Sequence, residues 1–492
     1  MKNTVVLYYP AIDFKPFYPY FWAPLSILSV AAPLVVEGYK VILLDGNLGN
    51  EESDKRVVEK NLADCVCFGI SSMIGGGQLE RGLEMSSYVK SLSRSIPIVF
   101  GGPLGTVIPE TLFNDSTVDY VVRGQGEYPF LELVKLLQSG RTITSIAGVV
   151  KRGDIEISKP AMYDKESLPP YPWHLLDVER YVRQDRLLGK RVMNFISSQG
   201  CPHRCGYCSE VSSYGSRWKA LTADRMLSEV SGLVKKYNLD GIKFYDSNFF
   251  VDRNRVVKFA QGLIDNGINI SWAASAHPKG LKRLSDDLEL IRESGLKRLL
   301  IGAESGSQAS LNYINKGCTT EDIMDAAKLC AKYDISSAFT FIVGMPGISD
   351  DVKSTLEMAL RMKKLSGNFE INIHFYAPLP GTPLYEEAKK LGYTPPSSLS
   401  EWSRYNYYAV QIPWLDKKVE KNVRLFGDLY SDFLYPPEWF LVDLKSKPIA
   451  RRVYGLLKCL VWLRCKIHFY SAPIEKYWLN LILGKNMLKR GD

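Results

Sequence analysis

Short apolar runs alternate with amphipathic stretches from the first residues to about residue 390. Residues 5–9, 40–45, 65–71, 98–101 and 118–123 read as strands, and a helical pattern over 24–37 ends at Gly38. Strands spaced by helices predict a Rossmann-like, doubly wound parallel sheet over 1–150. Such sheets bind ligands beyond the carboxyl ends of their strands. Leu168-Pro169-Pro170-Tyr171-Pro172-Trp173 cannot be helical, because three prolines break it, and it marks 151–190 as a connector. A second βα series follows over 191–390, with strands at 192–197, 241–245, 270–274, 298–301, 337–343 and 370–376 and helices near 222–237 and 321–333. Six βα units in one run predict a partial barrel with its chemistry at the carboxyl ends of the strands. Residues 391–492 lose this rhythm, are rich in Tyr, Trp, Leu and Lys, and read as mostly helical.

The chain has 492 residues, too many for one ordinary core. No apolar run reaches the about 18 residues of a membrane-spanning helix. Met1-Lys2-Asn3-Thr4 leads into the first strand without a small-residue cleavage site, so a strand and not a signal peptide is expected there, and with it a cytoplasmic protein. The net charge of +9 is unevenly placed: residues 445–492 hold eleven of the 62 Lys and Arg and two of the 53 Asp and Glu, leaving 51 of each in the rest. The body shows no basic stripe interleaved with aromatics, so no nucleic-acid partner is expected. In the tail, Arg451, Arg452, Lys458, Arg464 and Lys466 lie among Leu, Val, Trp and Phe. This is either a helix packed on the barrel with a solvated basic face or a peripheral contact with an anionic membrane.

Nine cysteines are too few for a secreted disulfide framework, and three of them fall within eight residues. The stretch Cys201-Pro202-His203-Arg204-Cys205-Gly206-Tyr207-Cys208 follows a predicted strand and the turn Ser198-Gln199-Gly200, at the active face of the barrel. Three thiolates hold three irons of a [4Fe–4S] cluster and leave the fourth iron open to a small ligand. The competing reading is zinc, which needs a fourth ligand; His203 is the one nearby, inside the loop, where ring closure with both flanking cysteines is strained.

With its surroundings this motif resembles the radical S-adenosylmethionine (SAM) superfamily, specifically the cobalamin-binding, methyltransferase-like branch, over roughly residues 1–390. Ser198-Gln199-Gly200-Cys201 precedes the motif, Phe244-Tyr245-Asp246-Ser247-Asn248-Phe249-Phe250 resembles the family's second strand end, and Ile301-Gly302-Ala303-Glu304-Ser305-Gly306-Ser307 its Gly-x-Glu-Ser-Gly stretch. Phe341-Ile342-Val343-Gly344-Met345-Pro346-Gly347 resembles the fifth strand, and Tyr376-Ala377-Pro378-Leu379-Pro380-Gly381 the sixth. The resemblance implies a [4Fe–4S] cluster on Cys201, Cys205 and Cys208, and SAM contacts from Tyr207, Asp246, Ser247, Glu304, Ser305 and Gly344. Glu304 is otherwise a helix N-terminal carboxylate satisfied by backbone N–H groups.

In the first 150 residues, Gly101-Gly102-Pro103 and Gly124-Gln125-Gly126-Glu127 resemble the branch's cobalamin loops, with Asp45 at the end of the second strand and Ser71-Ser72-Met73 after the third. These are the expected cobalamin contacts; the other reading is a Rossmann-like module that binds no cobalamin. No histidine precedes His174, so the domain has no Asp-x-His-x-x-Gly cobalt ligand. Met73 either covers the lower face of the corrin or is an apolar plug. The resemblance implies methylation of an unactivated carbon in a small-molecule or lipid-like substrate: a deoxyadenosyl radical removes hydrogen and methylcobalamin delivers the methyl group. A rearrangement, cyclisation or ring contraction with the same cofactors is the second reading, and a zinc-bearing non-catalytic module the third. A flavodoxin or ferredoxin is the expected electron donor. Trp22, Trp218, Trp272, His277 and Tyr376 are candidates to line the cleft between cofactors.

Overall fold

A computed structural model describes residues 2–12, 22–142, 145–154, 156–348, 351–405, 410, 412–436, 448–470, 473–475 and 477–478. The parts of the expected helical C-terminal region at 437–447 and 479–492 lie outside the described residues.

Two sheets organise the chain. The first contains β1 (Thr4–Tyr9), β2 (Lys40–Asp45), β3 (Cys65–Ser71), β4 (Ile98–Gly101), β5 (Tyr120–Val122) and β6 (Val149–Lys151), in the order β2-β1-β3-β4-β5-β6. All pairs are parallel except β5–β6. Side chains alternate across it: Val5 and Leu7 pack with Ile27 and Leu34 of the helix Leu25–Val36 and with Phe130 of Glu127–Ser139. Val6 and Tyr8 pack on the other side with Val58, Leu79 and Met85, from Glu51–Asn61 and Gly77–Leu92. Helices cover both faces, as the near-continuous apolar strands require.

The second sheet contains β7 (Arg183–Asp185), β8 (Gly189–Phe195), and, after a small antiparallel ribbon of β9 (Ser198–Gly200) and β10 (Trp218–Ala220), β11 (Gly241–Phe244), β12 (Ser271–Ala276), β13 (Leu296–Glu304), β14 (Ser336–Val343) and β15 (Phe369–Phe375). Its order is β15-β14-β13-β12-β11-β8-β7, with six parallel strands and β7 antiparallel at the edge. This is the expected partial (β/α)6 barrel. The helix-facing core includes Phe195, Phe244, Phe249, Phe259 and the fully buried Trp272. The opposite face carries Asn194, Lys243, Ala273 and Arg298 in one register row.

The stretch expected to be a connector contributes β7, the start of β8 and the last residue of β6. Three-residue strands carry too little periodicity to show in the sequence. The two halves are stitched together. The Asn194 amide accepts from Ala23 N (3.1 Å) and donates to Ala23 O (3.0 Å). Arg225 Nη2 donates to Leu168 O (2.6 Å), and Glu166 accepts from Thr222 N (2.9 Å). Among the described residues, no helix is long and apolar enough to cross a membrane.

Candidate active site

A cavity of about 580 Å³ lies between the carboxyl ends of the two sheets. From the first sheet it is lined by Ser71, Ser72, Met73, Gly101, Gly102, Pro103, Gly124, Gln125, Gly126 and Glu127. Glycine is required at two of these turns. Gly102 has φ +95°, and a Cβ there would stand 2.4 Å from Ser72 O; Gly124 has φ +75°, and its Cβ would stand 2.3 Å from Ala161 O. The two loops are tied by Thr106, which accepts from Gly124 N (3.0 Å) and donates to Gly102 O (2.9 Å).

Glu127 is 2% exposed. Its Oε1 accepts from Ser29 Oγ (2.6 Å), while Oε2 has no partner among the described residues, although the side chain lines the cavity. A buried carboxylate oxygen left bare is costly unless a ligand donor meets it. The amide-fringed edge of a corrin supplies such donors, so these loops fit cobalamin. No histidine lines the cavity, and Met73 is 39% exposed on its wall. Asp45 does not line it. Its Oδ1 accepts from Asn47 N (3.0 Å) and its Oδ2 from Tyr181 Oη (2.9 Å), so it shapes the turn that brings Asn47 to the wall.

From the barrel, the wall is made by Asn194, Ser198, Gln199, Ser209, Glu210, Tyr214, Tyr245 and Ser247, and by Trp22 from the other half. Gln125 Nε2 donates to Gln199 Oε1 across the two halves. Lys243, framed by the rings of Trp22 (5.4 Å) and Tyr245 (5.1 Å), lies behind this wall, with its ammonium pushed down by burial.

The cysteine loop leaves the ribbon of β9 and β10 beside this wall. It is pinned by Gly206 N donating to Ile314 O (2.8 Å), Leu384 N to Gly206 O (3.0 Å) and Asn315 Nδ2 to Arg204 O (3.1 Å). Burial raises all three thiols, Cys208 to about 12, with Cys201 and Cys205 in the same direction. His203 stacks on His277 (3.8 Å between centroids), and burial lowers these rings to about 4 and about 3, so both are neutral near pH 7. Among the described residues no three His, Cys, Asp or Glu side chains converge on a single-ion site. The three thiols act on one another electrostatically, and His203 is stacked on His277, so three thiolates without the imidazole fit a cluster of several irons better than a zinc knot.

The residues expected to contact SAM divide by position. Ser247 faces the cavity and donates to Glu210 Oε2 (2.8 Å). Asp246 is 1% exposed and is not part of the wall. It accepts from Ser197 N (2.7 Å), Ser197 Oγ (2.6 Å) and Ser198 Oγ (2.5 Å), and so fixes the chain entering the cysteine loop. Glu304 ends β13 at φ +62°, a strained conformation for a side chain of its size. It is not a helix cap: Oε1 accepts from the buried Lys316 Nζ (2.8 Å), and the Tyr207 hydroxyl is pushed up by burial and by Glu304. Ser305 Oγ accepts from Ser307 N (3.1 Å), and Gly344 O from Trp414 Nε1 (3.0 Å); neither Ser305 nor Gly344 lines the cavity. Of the aromatic candidates, only Trp22 lines it. Trp272 and Tyr376 are buried in the core, and His277 Nε2 lies 3.0 Å from Lys316 O.

Trp22 was expected at the cleft from the sequence; Glu210, Gln199 and Tyr245 in the wall, with Lys243 behind it, were not. Glu210 stands two residues past the last cysteine and was open to inspection. The others depend on contacts between distant segments.

Residues 195–359 match the Radical SAM superfamily, and residues 18–134 match the B12 binding domain. An uncharacterized methyltransferase of Pyrococcus horikoshii is 27% identical over 445 residues, 88% of this chain and 93% of that protein. The anaerobic magnesium-protoporphyrin IX monomethyl ester cyclase of Rubrivivax gelatinosus is 25% identical over 93% of this chain and 82% of its own length. Among solved structures, the radical S-adenosylmethionine methyltransferase TsrM from Kitasatospora setae, with cobalamin and a [4Fe–4S] cluster bound, superposes with a TM-score of 0.63 at 18% identity, covering 82% of this chain and 81% of that one.

Proposed function

Because this chain belongs to the cobalamin-dependent radical SAM enzymes, whose cofactors are a [4Fe–4S] cluster, SAM and cobalamin, we propose that it methylates an unactivated carbon of a small-molecule or lipid-like substrate held between its two sheets. One observation carries this reading. A single cavity joins the loops Ser71–Met73, Gly101–Pro103 and Gly124–Glu127 to Ser209, Glu210 and Ser247 beside the cysteine loop. Bound at the two walls, the cluster with SAM supplies removal of a hydrogen atom, and cobalamin supplies the methyl group.

The chain's own residues hold and orient. Cys201, Cys205 and Cys208 would hold the cluster, on a loop fixed by Gly206, Asn315 and the Asp246 anchor. Ser247 and Glu210 present polar oxygens to the cavity next to the third cysteine and would meet the polar end of SAM. Tyr207, within that loop, is backed by Glu304, which is paired with the buried Lys316. Gly102 and Gly124 give the corrin close backbone approach, and Glu127 Oε2 offers it an acceptor. Met73, on the cavity wall beside these loops, would cover a face of the corrin. Tyr9, Ile12, Leu25 and Phe130 make part of the wall apolar and exclude water.

The test is an anaerobic reconstitution with iron, sulfide and hydroxocobalamin, followed by turnover of SAM labelled in its methyl group with extracts fractionated for acceptors. Label carried into a product together with deoxyadenosine supports methylation. Deoxyadenosine and a corrin-loaded protein that changes a substrate without transferring label would replace it by rearrangement or cyclisation, the reading favoured by the likeness to the Rubrivivax cyclase.

A further inference from the structure

The helix Pro448–Lys466 is attached by one face only. Val461 and Cys465 are buried, Tyr454 packs on Phe433 and donates to its carbonyl (2.6 Å), and Arg464 pairs with the buried Glu475 (2.8 Å). Helical spacing places Leu456, Leu463 and Ile467 together on the opposite face, at i, i+7 and i+11. They are 74%, 48% and 60% exposed. Trp462 flanks them at 53%, and Phe469 and Ile474 continue the surface beyond the helix end. Of the eighteen large apolar side chains exposed among the described residues, seven fall between Leu456 and Tyr477. Scattered exposed apolar residues need no explanation, but this concentration on one face does.

Charge selects the occupant. The helix contains no acidic residue. Arg452 and Lys466 are exposed on the flank of the apolar stripe and Arg451 is exposed further round the helix, and among the described residues none of the three has an acidic partner; Lys466 lies over the Trp462 ring (5.1 Å). A second copy would set these cations against their own like. An anionic lipid surface instead takes the apolar stripe into its acyl boundary and the cations at its headgroups, with Trp462 at the level where amphipathic rings settle. We propose that this outward face binds the surface of an anionic membrane, peripherally and without spanning it. The inference stands on this surface alone and does not need the methylation reading.

Vesicle co-sedimentation of the full-length reconstituted protein tests it. The vesicles are phosphatidylcholine alone and an equal mixture of phosphatidylcholine and phosphatidylglycerol. The protein is expected to sediment with the anionic vesicles, to be released by raised salt, and to ignore the zwitterionic ones. The triple variant Leu456→Ser, Leu463→Ser, Ile467→Ser and the double variant Arg451→Glu, Arg452→Glu should each weaken binding by at least about tenfold, since both the apolar and the electrostatic term are needed. All these side chains are exposed, so both variants should keep the iron content and thermal midpoint of the parent, which checks that they fold. Anionic-vesicle binding that is absent, or equal in the parent and both variants, overturns the proposal. So does a parent that ignores vesicles but is dimeric by sedimentation velocity while the triple variant is monomeric, which would assign the face to a second copy.

Discussion

Glu127 should separate a residue that serves the fold from one that serves the ligand. One carboxylate oxygen is engaged by Ser29 at 2.6 Å and the other is bare in the cavity wall. Ser29→Ala removes the one hydrogen-bond partner of this carboxylate among the described residues, which costs the fold about 1–3 kcal/mol or more for a charged group. Glu127→Ala leaves the Ser29 hydroxyl without its acceptor and takes a negative charge from near the buried Lys165, whose ammonium Glu127 supports, so it costs the fold a comparable amount. For stability, then, the two substitutions are alike.

For corrin binding the two differ. A hydrogen bond from a ligand amide to the free carboxylate oxygen contributes about 1.5–3 kcal/mol, so Glu127→Ala should weaken retention of hydroxocobalamin by about ten- to hundredfold. Ser29→Ala keeps the acceptor and should change retention by less than about threefold, under 1 kcal/mol. Equilibrium dialysis followed by visible absorbance reads the affinity, and urea unfolding of the corrin-free proteins reads the stability. If the two substitutions lower both quantities in parallel, Glu127 acts on corrin through the fold alone. If neither changes retention, the bare oxygen does not meet the ligand at all.

Three further outcomes follow from the same geometry. Cys201→Ala, Cys205→Ala and Cys208→Ala should each abolish the visible iron–sulfur absorption and deoxyadenosine formation while hydroxocobalamin is still retained, because the loops assigned to corrin belong to the other wall; loss of both together would refute that separation. Asp246→Ala removes three hydrogen bonds to Ser197 and Ser198, about 3 kcal/mol at about 1 each, and should lower iron occupancy as well as the urea midpoint; unchanged occupancy would show that the loop needs no such support. The Asp54 carboxyl is pushed up to about 6 by burial, with Asp45 as the second cause. Its charged form is disfavoured in the fold, so stability falls as pH rises from about 4 through 6; Asp54→Asn should be more stable than the parent by about 1–3 kcal/mol at pH 7, with the gap closing below pH 4, and a gap independent of pH in urea titrations would refute the assignment.

The fold was legible where its period is long. All six parallel barrel strands and the first five strands of the other sheet come from runs whose apolar positions repeat, and their predicted limits lie within a few residues of the structure. β6, β7, β9 and β10, of three residues each and all antiparallel to their neighbours, gave no signal; β7 lies inside what read as connector and β9 inside what read as a turn. At the site, the glycine loops were legible because only glycine tolerates the close approach at Gly102 and Gly124. Side-chain roles were less so. Asp246 and Ser247 are adjacent in sequence just past the end of β11, yet one turns inward to anchor β9 and the other faces the cavity. Trp272 had the composition of a pocket residue and the register of a core one.

The cavity belongs to neither half alone, and this sets how the chain must fold to work. Trp22 packs with Leu188, Val192 and Ala273 of the barrel half, although it precedes every helix of the first half. The Asn194 amide then clamps the next residue, Ala23, through both its backbone groups, fixing the start of the helix Leu25–Val36 to β8. That helix carries Ser29, which orients Glu127. A chain of short contacts therefore runs from β8, one short strand before the cysteine loop, to the Glu127 carboxylate in the opposite wall. Separating the halves would release Ala23, and with it the orientation of Glu127, so the wall assigned to corrin depends on the half that bears the cysteines.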